Sequence, residues 1–216
     1  MRAETGAKRV RAFLGGRAVA DTRRPLLVWD RRSYPAYWLP EKDVDLDAVP
    51  EAALSWPPAD AGALAGHVHL AWEALDAWFE EDEEVYVHPR DPYSRVDILA
   101  SSRHVVVRVG GEVVAESGKP TLLFETDLPA RYYLPRTHVR MDLLRPSATT
   151  SACPYKGTAV YWTVEAGGAT CPDLAWTYRT PVAESMKIAG LVCFYNEKVD
   201  LVVDGELLER PHTHFS

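Results

Sequence analysis

The residues with the widest chemical reach lie between Tyr132 and Tyr178. Lys156 stands between Tyr155 and Gly157, and Tyr132, Arg140, Asp142 and Trp176 lie in the same half of the chain. A lysine embedded among aromatic side chains loses hydration, which lowers the pKa of such a group toward values useful for proton transfer or imine chemistry. A carboxylate beside it, with Asp142 the candidate, holds it charged and suits anion binding instead. In this scheme Lys156 is the general base or anion clamp, Asp142 sets its ionisation, Tyr132 and Tyr155 donate hydrogen bonds, and Trp176 stacks on a ligand. Arg140, Tyr161 and Tyr178 complete the expected lining. The plain alternative is a structural ion pair under an aromatic lid.

Aromatic residues are the second signal. Tyr132, Tyr133, Tyr155, Tyr161, Trp162, Trp176 and Tyr178 all fall in the second half. A small β core cannot bury so many hydroxyls without partners. Either they fill an aromatic-rich core, or some wall a pocket for a small planar or cationic organic ligand. A third group is His67-x-His69 with Glu73, where two histidines on one strand face resemble part of a cupin metal motif. His88, His104 and Glu80 are further candidate ligands, and these types suit iron, nickel or zinc. No second cupin motif follows, so metal-dependent chemistry stays an alternative and no cofactor is expected. His88-Pro-Arg90-Asp-Pro-Tyr-Ser-Arg95-Val-Asp97 reads as a rigid turn whose charges clamp a carboxylate or hold two halves together. Glu80 to Glu84 reads as a solvated face.

An internal repeat organises the elements that must position these residues. Val10 to Pro40 aligns without a gap on Val105 to Pro135, and ten of 31 positions are identical, among them Gly15, Gly16, Pro25 and Pro40. Identity at Gly and Pro constrains backbone geometry directly. Each copy reads as a β-hairpin, with alternating apolar residues on either side of a Gly-Gly pair. Val199 to Leu208 is a third partial copy, turning at Asp204-Gly205. Gly66 to Trp72 alternates with period 2 and is matched with Gly157 to Val164, and Ala77-Trp78 with Ala175-Trp176. Asp47 to Gly66 reads as a surface connection, and Val182 to Leu191 as a short helix.

The reading is mainly β: two similar small antiparallel β domains, tent-like or barrel-like, related by internal pseudo-symmetry, with one or two short helices. The expected halves are residues 1–100 and 101–216.

The ordered set Tyr132-Tyr-Leu-Pro135, Val139-Arg-Met-Asp-Leu-Leu144, Cys153-Pro-Tyr-Lys-Gly157, Ala159-Val-Tyr-Trp162 and Ala175-Trp-Thr-Tyr178 resembles the DUF427 family. The first half resembles the degenerate partner of tandem DUF427 proteins and lacks the Cys-Pro-Tyr-Lys-Gly pattern. The resemblance implies a compact antiparallel β fold and says little about activity. A nucleotidyltransferase label sometimes given to the family finds no Gly-Ser turn followed by an Asp-x-Asp pair here.

Composition narrows the classes. The chain has 216 residues, 47% hydrophobic and 25% charged, with a formal net charge of −7. That balance suits a folded domain and argues against a nucleic-acid backbone binder. Its apolar runs are too short for a membrane-spanning helix, and Met1 to Lys8 has no apolar signal core. Three cysteines without a Cys-x-x-Cys spacing suit reduced thiols and a cytoplasmic setting. No P-loop, Gly-x-Gly-x-x-Gly, Gly-x-Ser-x-Gly or zinc-protease helix is present. The expected protein is a monomer or homodimer with a small-molecule partner and no nucleic-acid or membrane partner. It is a binding protein with an acid/base enzyme as its catalytic variant, a His67/His69 metal enzyme or a structural protein being the alternatives.

Overall fold

Two-residue turns with positive φ set the frame. The computed structural model describes residues 1–30, 34–58 and 60–216. The repeated segment 10–40 and the connection 47–66 are therefore described except at residues 31–33 and 59. The chain divides into two compact units, Met1–Asp91 and Pro92–Ser216.

The first unit contains β1 (Arg2–Thr5), β2 (Val10–Leu14), β3 (Arg17–Thr22), β4 (Leu26–Trp29), β5 (Ala36–Pro40), β6 (Leu54–Ser55), β7 (His67–Leu70), β8 (Ala77–Glu80) and β9 (Glu83–Val85). They form sheets of order β1-β4-β5-β7-β6 and β3-β2-β8-β9. The second contains β10 (Val96–Ala100), β11 (Val105–Val109), β12 (Glu112–Ser117), β13 (Thr121–Glu125), β14 (Arg131–Tyr133), β15 (Leu144–Cys153), β16 (Gly157–Ala166), β17 (Ala169–Tyr178), β18 (Cys193–Phe194), β19 (Asp200–Val203) and β20 (Glu206–Leu207). Their sheets run β10-β13-β14, β12-β11-β19-β20 and β15-β16-β17-β18. Neighbouring strands are antiparallel throughout. The protein is mainly β. Among the described residues no sheet closes into a barrel, and the helical pieces are 3-10 turns; Val182–Leu191 supplies one of them, at Ala183–Ile188.

The registers repeat residue for residue. Arg2 faces Trp29 and Thr5 faces Leu26; at +95, Asp97 faces Phe124 and Ala100 faces Thr121. β2–β3 and β11–β12 share even a bulge, after Ala12 and after Val107. Isolated bridges join Ala20 to Val44 and Ala115 to Val139. The Gly-Gly pairs at the two hairpin tips have φ of 59° and 74°, then 57° and 83°, the left-handed pair a two-residue turn requires.

Beyond these strands the sequence matches are corrected. β8 lies beside β2 as β19 lies beside β11, so Ala77-Trp78 occupies the place of Asp200-Leu201, not of Ala175-Trp176. Leu39 meets Val68 as Leu134 meets Val192, so Gly66 to Leu70 corresponds to Gly190 to Phe194, not to Gly157 onward. Apolar alternation is common to all these strands and does not reveal which neighbour each will choose. The segment 144–178, with β15 to β17, therefore has no counterpart in the first unit.

The cores follow the same correspondence. Val10, Ala12, Tyr37, Leu39 and Trp78 bury together in the first unit, as Val105, Val107, Tyr132, Leu134 and Leu201 do in the second. The second unit adds a cluster built on its long strands, with Leu123, Tyr133, Tyr161, Trp176, Tyr178 and Cys193. Here the Gly167 turn lies against the Gly110 turn: a Cβ on Gly167 would stand 2.5 Å from the Gly110 carbonyl oxygen.

Candidate functional site

Strand alternation decides which residues meet. Tyr132 and Tyr133 are neighbours on β14 and point to opposite faces. Tyr132 enters the frame core in the place of Tyr37, away from the cluster of Tyr161, Trp176 and Tyr178 in which it was expected. Tyr133 faces the cluster of Tyr161, Trp176 and Tyr178, where its hydroxyl accepts the Trp176 indole N–H at 3.2 Å. Burial pushes the hydroxyls of Tyr133 and Tyr178 well above the ordinary tyrosine range, so both stay protonated.

Lys156 sits at the edge of this cluster, and its partner is Glu125 rather than Asp142. The two side chains are 10% and 11% exposed. Glu125 ends β13, and its charge reaches Tyr133 and Tyr178. The Cys153–Gly157 turn that carries Lys156 is clamped from one side. The Val182 N–H donates to the Lys156 carbonyl at 3.3 Å, and the Ser185 hydroxyl to the Tyr155 carbonyl at 2.8 Å. Gly157 has φ of 94°, a backbone conformation that residues with a Cβ rarely adopt, so the motif's glycine is a requirement of the turn's geometry. Tyr155 thus holds the turn through its backbone.

Asp142 belongs elsewhere. The 3-10 turn Met141–Leu143 buries Val139 and Leu144 at its flanks and leaves Arg140 and Asp142 outside. Those two pair with each other at 2.7 Å, which raises the arginine further and lowers the aspartate. The expected scheme of Lys156, Asp142 and Arg140 around one ligand does not assemble.

The histidines do not gather either. The Nδ1 atoms of His67 and His69 bond the carbonyls of Ala65 and Tyr37. His104 lies 2.9 Å from Glu116, and His88 stacks on Tyr34. Among the described residues no three His, Cys, Asp or Glu side chains are placed to hold a metal ion. The exposed Arg95 pairs with the half-buried Asp97, and Arg90 lies 3.8 Å from Glu83. Glu80 departs from the solvated face expected for residues 80–84. It is 6% exposed and accepts bonds from the Tyr37 hydroxyl at 2.5 Å, the Arg90 N–H at 3.3 Å and the Lys8 ammonium. Period-2 alternation at the end of β8 turns it inward beside Trp78's sheet neighbours.

Sequence reasoning missed a pocket on the second unit, of about 370 Å³. Thr149, Tyr161, Asp173, Tyr195, Lys198 and Phe215 contribute to its wall. Thr149 and Asp173 sit where β15 and β17 break register against β16. Such bulges re-aim side chains and recur beside functional sites. Asp173 has φ of 51°, an uncommon conformation for a residue with a Cβ. Its Oδ2 accepts the Thr149 hydroxyl at 2.7 Å, while Oδ1 is buried with no partner. The signal for this site was Pro172-Asp173 inside a strand pattern, since proline within a sheet marks an edge or a bulge.

Aromatic rings form another part of the wall. Tyr195 lies 4.5 Å from Trp176 and 5.4 Å from Phe215, and the Lys198 ammonium stands 5.4 Å over the Tyr195 ring. Burial, and then a bond with Tyr161, push the Tyr195 hydroxyl well above the usual range. The Tyr161 hydroxyl is 2.7 Å from the Ser151 hydroxyl. Behind the wall Arg131 makes a two-pronged bond to Glu197 at 2.7 and 2.8 Å, both side chains nearly inaccessible. Arg131 also faces Trp176, Tyr195 and Phe215 at 5.5–5.7 Å. Of the sequence-derived candidates, then, the structure gathers Tyr161, Trp176 and Tyr178 with Lys156 at their margin. Only Tyr161 reaches the pocket wall.

Among the described residues no helix is long and apolar enough to cross a membrane. No curated protein matches the chain. A family model described as "Domain of unknown function (DUF427)" matches residues 2–56 and 97–205, two segments that begin 95 positions apart, and by that match the chain belongs to the DUF427 family.

Proposed function

We propose that the protein binds a small organic molecule on its second unit, in the pocket walled by Tyr161, Tyr195 and Phe215. The observation that carries this reading is the pairing of an aromatic wall with a buried carboxylate oxygen that has no donor. Buried polar atoms almost always have partners, and a missing one points to a group that arrives from outside. The volume lies at the lower end of the range for small-molecule sites. An acid/base role is the second reading, drawn from the enclosed Lys156–Glu125 pair. That pair satisfies itself, which favours a structural part for it.

Saturation-transfer NMR with a library of aromatic fragments tests the main reading. Transfer to several fragments is expected in the intact protein. It should fall at least about fivefold in Tyr195→Ala, provided the amide spectrum shows the fold retained. Absence of transfer, or transfer indifferent to Tyr195, would end it.

A further inference from the structure

We infer that the ligand of this pocket is a small zwitterion of the amino-acid class, an aromatic or apolar body bearing both an ammonium and a carboxylate. The inference rests on the binding reading above and adds to it the charges the ligand must carry.

Two residues of opposite sign share the pocket without neutralising one another. Asp173 and Lys198 both contribute to its lining, and neither forms an ion pair among the described residues. Opposite charges left apart across one cavity match a ligand with the complementary pair better than a ligand with one charge or none. Asp173 supplies the more specific half. Its Oδ2 is already held by Thr149, so Oδ1 alone remains to accept an N–H. An ammonium brings such a donor together with the charge that makes the bond strong. The terminal torsion of an aspartate lies in a broad well, so the carboxylate can turn to offer Oδ1 to the pocket, exchanging its bond from Thr149 for a charge-assisted one from the ligand.

The other half follows from Lys198. Its ammonium stands over the Tyr195 ring, 5.4 Å from the centroid. It is exposed, which leaves its donors available to a carboxylate at the pocket rim. Tyr195 and Phe215, rings 5.4 Å apart, line the same pocket and suit a flat or apolar ligand body. The whole space of about 370 Å³ suits one amino acid or a molecule of similar size.

Four probes of one size decide it on the full chain: L-phenylalanine, phenethylamine, 3-phenylpropionate and 2-phenylethanol, each titrated by calorimetry and by amide shifts. The expected result is that L-phenylalanine binds at least about tenfold tighter than either singly charged probe, with shifts at Thr149, Asp173 and Lys198. Asp173→Asn keeps a residue that tolerates the left-handed backbone and should erase the advantage of the ammonium. Lys198→Gln should erase that of the carboxylate. Equal binding of all four probes, or best binding by the neutral or a singly charged one, overturns the zwitterion and leaves the pocket standing. Failure of all four, together with a silent fragment library, removes the pocket as well.

Discussion

The two units share one frame and differ in what covers its second face. At Ala3, Val28, Trp38 and His69 the first unit has the counterparts of Ile98, Leu123, Tyr133 and Cys193 in the second. In the first, that face closes on a small cluster of Leu26, Val28 and Leu64. In the second, β15 to β17 lay Ala159, Tyr161, Trp176 and Tyr178 across it. The pocket residues Thr149, Tyr161 and Asp173 all come from those added strands. On the binding reading proposed above, the shared frame is scaffolding, and the strands that only the second unit possesses supply part of the pocket wall.

The buried ion pair is where the two units should part most widely. Arg131 aligns with Ala36, so the first unit has no equivalent of its bond to Glu197. Arg131→Met leaves Glu197 buried without its partner and should destabilise the second unit by about 3–5 kcal/mol. Hydrogen exchange should then quicken in β14 and β18 while β5 and β7 keep their protection; equal loss in both units would contradict the distinction drawn here. Acid should act on the same pair. Burial alone would raise Glu197, but the bonds from Arg131 and Thr213 outweigh it and hold the carboxyl below the ordinary glutamate range. Its contribution is therefore complete above that range and is lost as pH falls through the folded value. Urea unfolding of the wild type against Glu197→Gln should converge at low pH.

A smaller contrast lies at the hairpin tips. Gly15 and Gly110 occupy the same turn, yet a Cβ on Gly15 meets nothing within 4 Å, whereas one on Gly110 meets the Gly167 carbonyl at 2.8 Å. Gly15→Ala should cost about 1–2 kcal/mol, the ordinary left-handed strain. Gly110→Ala should cost roughly 2 kcal/mol more, because two backbones must separate. Equal midpoints in urea would show that the second turn yields freely. The smallest test is chemical. Burial raises the Cys193 thiol to about 12, while Cys153 and Cys171 are half-buried. In the native protein at neutral pH, Cys153 and Cys171 should react with a thiol reagent and Cys193 only after unfolding.

The frame was legible because its signals are local. A Gly-Gly pair between alternating apolar runs specifies a hairpin wherever it stands, and Pro40 and Pro135 close the aligned segment in both halves. Strand partners beyond the hairpins were not legible, since Val68 and Val160 look alike until a neighbour is chosen. The lysine site was half read. Lys156 and its aromatic surroundings share one run of motifs with Asp142, whereas its partner Glu125 lies on another strand, 31 residues away, with no local pattern to tie the two together. The choice between Tyr132 and Tyr133 turned on one step of strand phase, which a pair of adjacent tyrosines does not disclose. Asp173, Tyr195, Lys198 and Phe215 meet only through tertiary structure, and the proline before Asp173 was the one trace they left.

The backbone at Asp173 has a practical consequence for anyone wishing to make this protein hardier. Glycine at that position would relax the left-handed geometry and remove an unsolvated oxygen, so a search for thermostable variants should arrive there early. The same exchange would remove the carboxylate from the cavity wall, so that, on the reading proposed above, resilience would come with the loss of recognition.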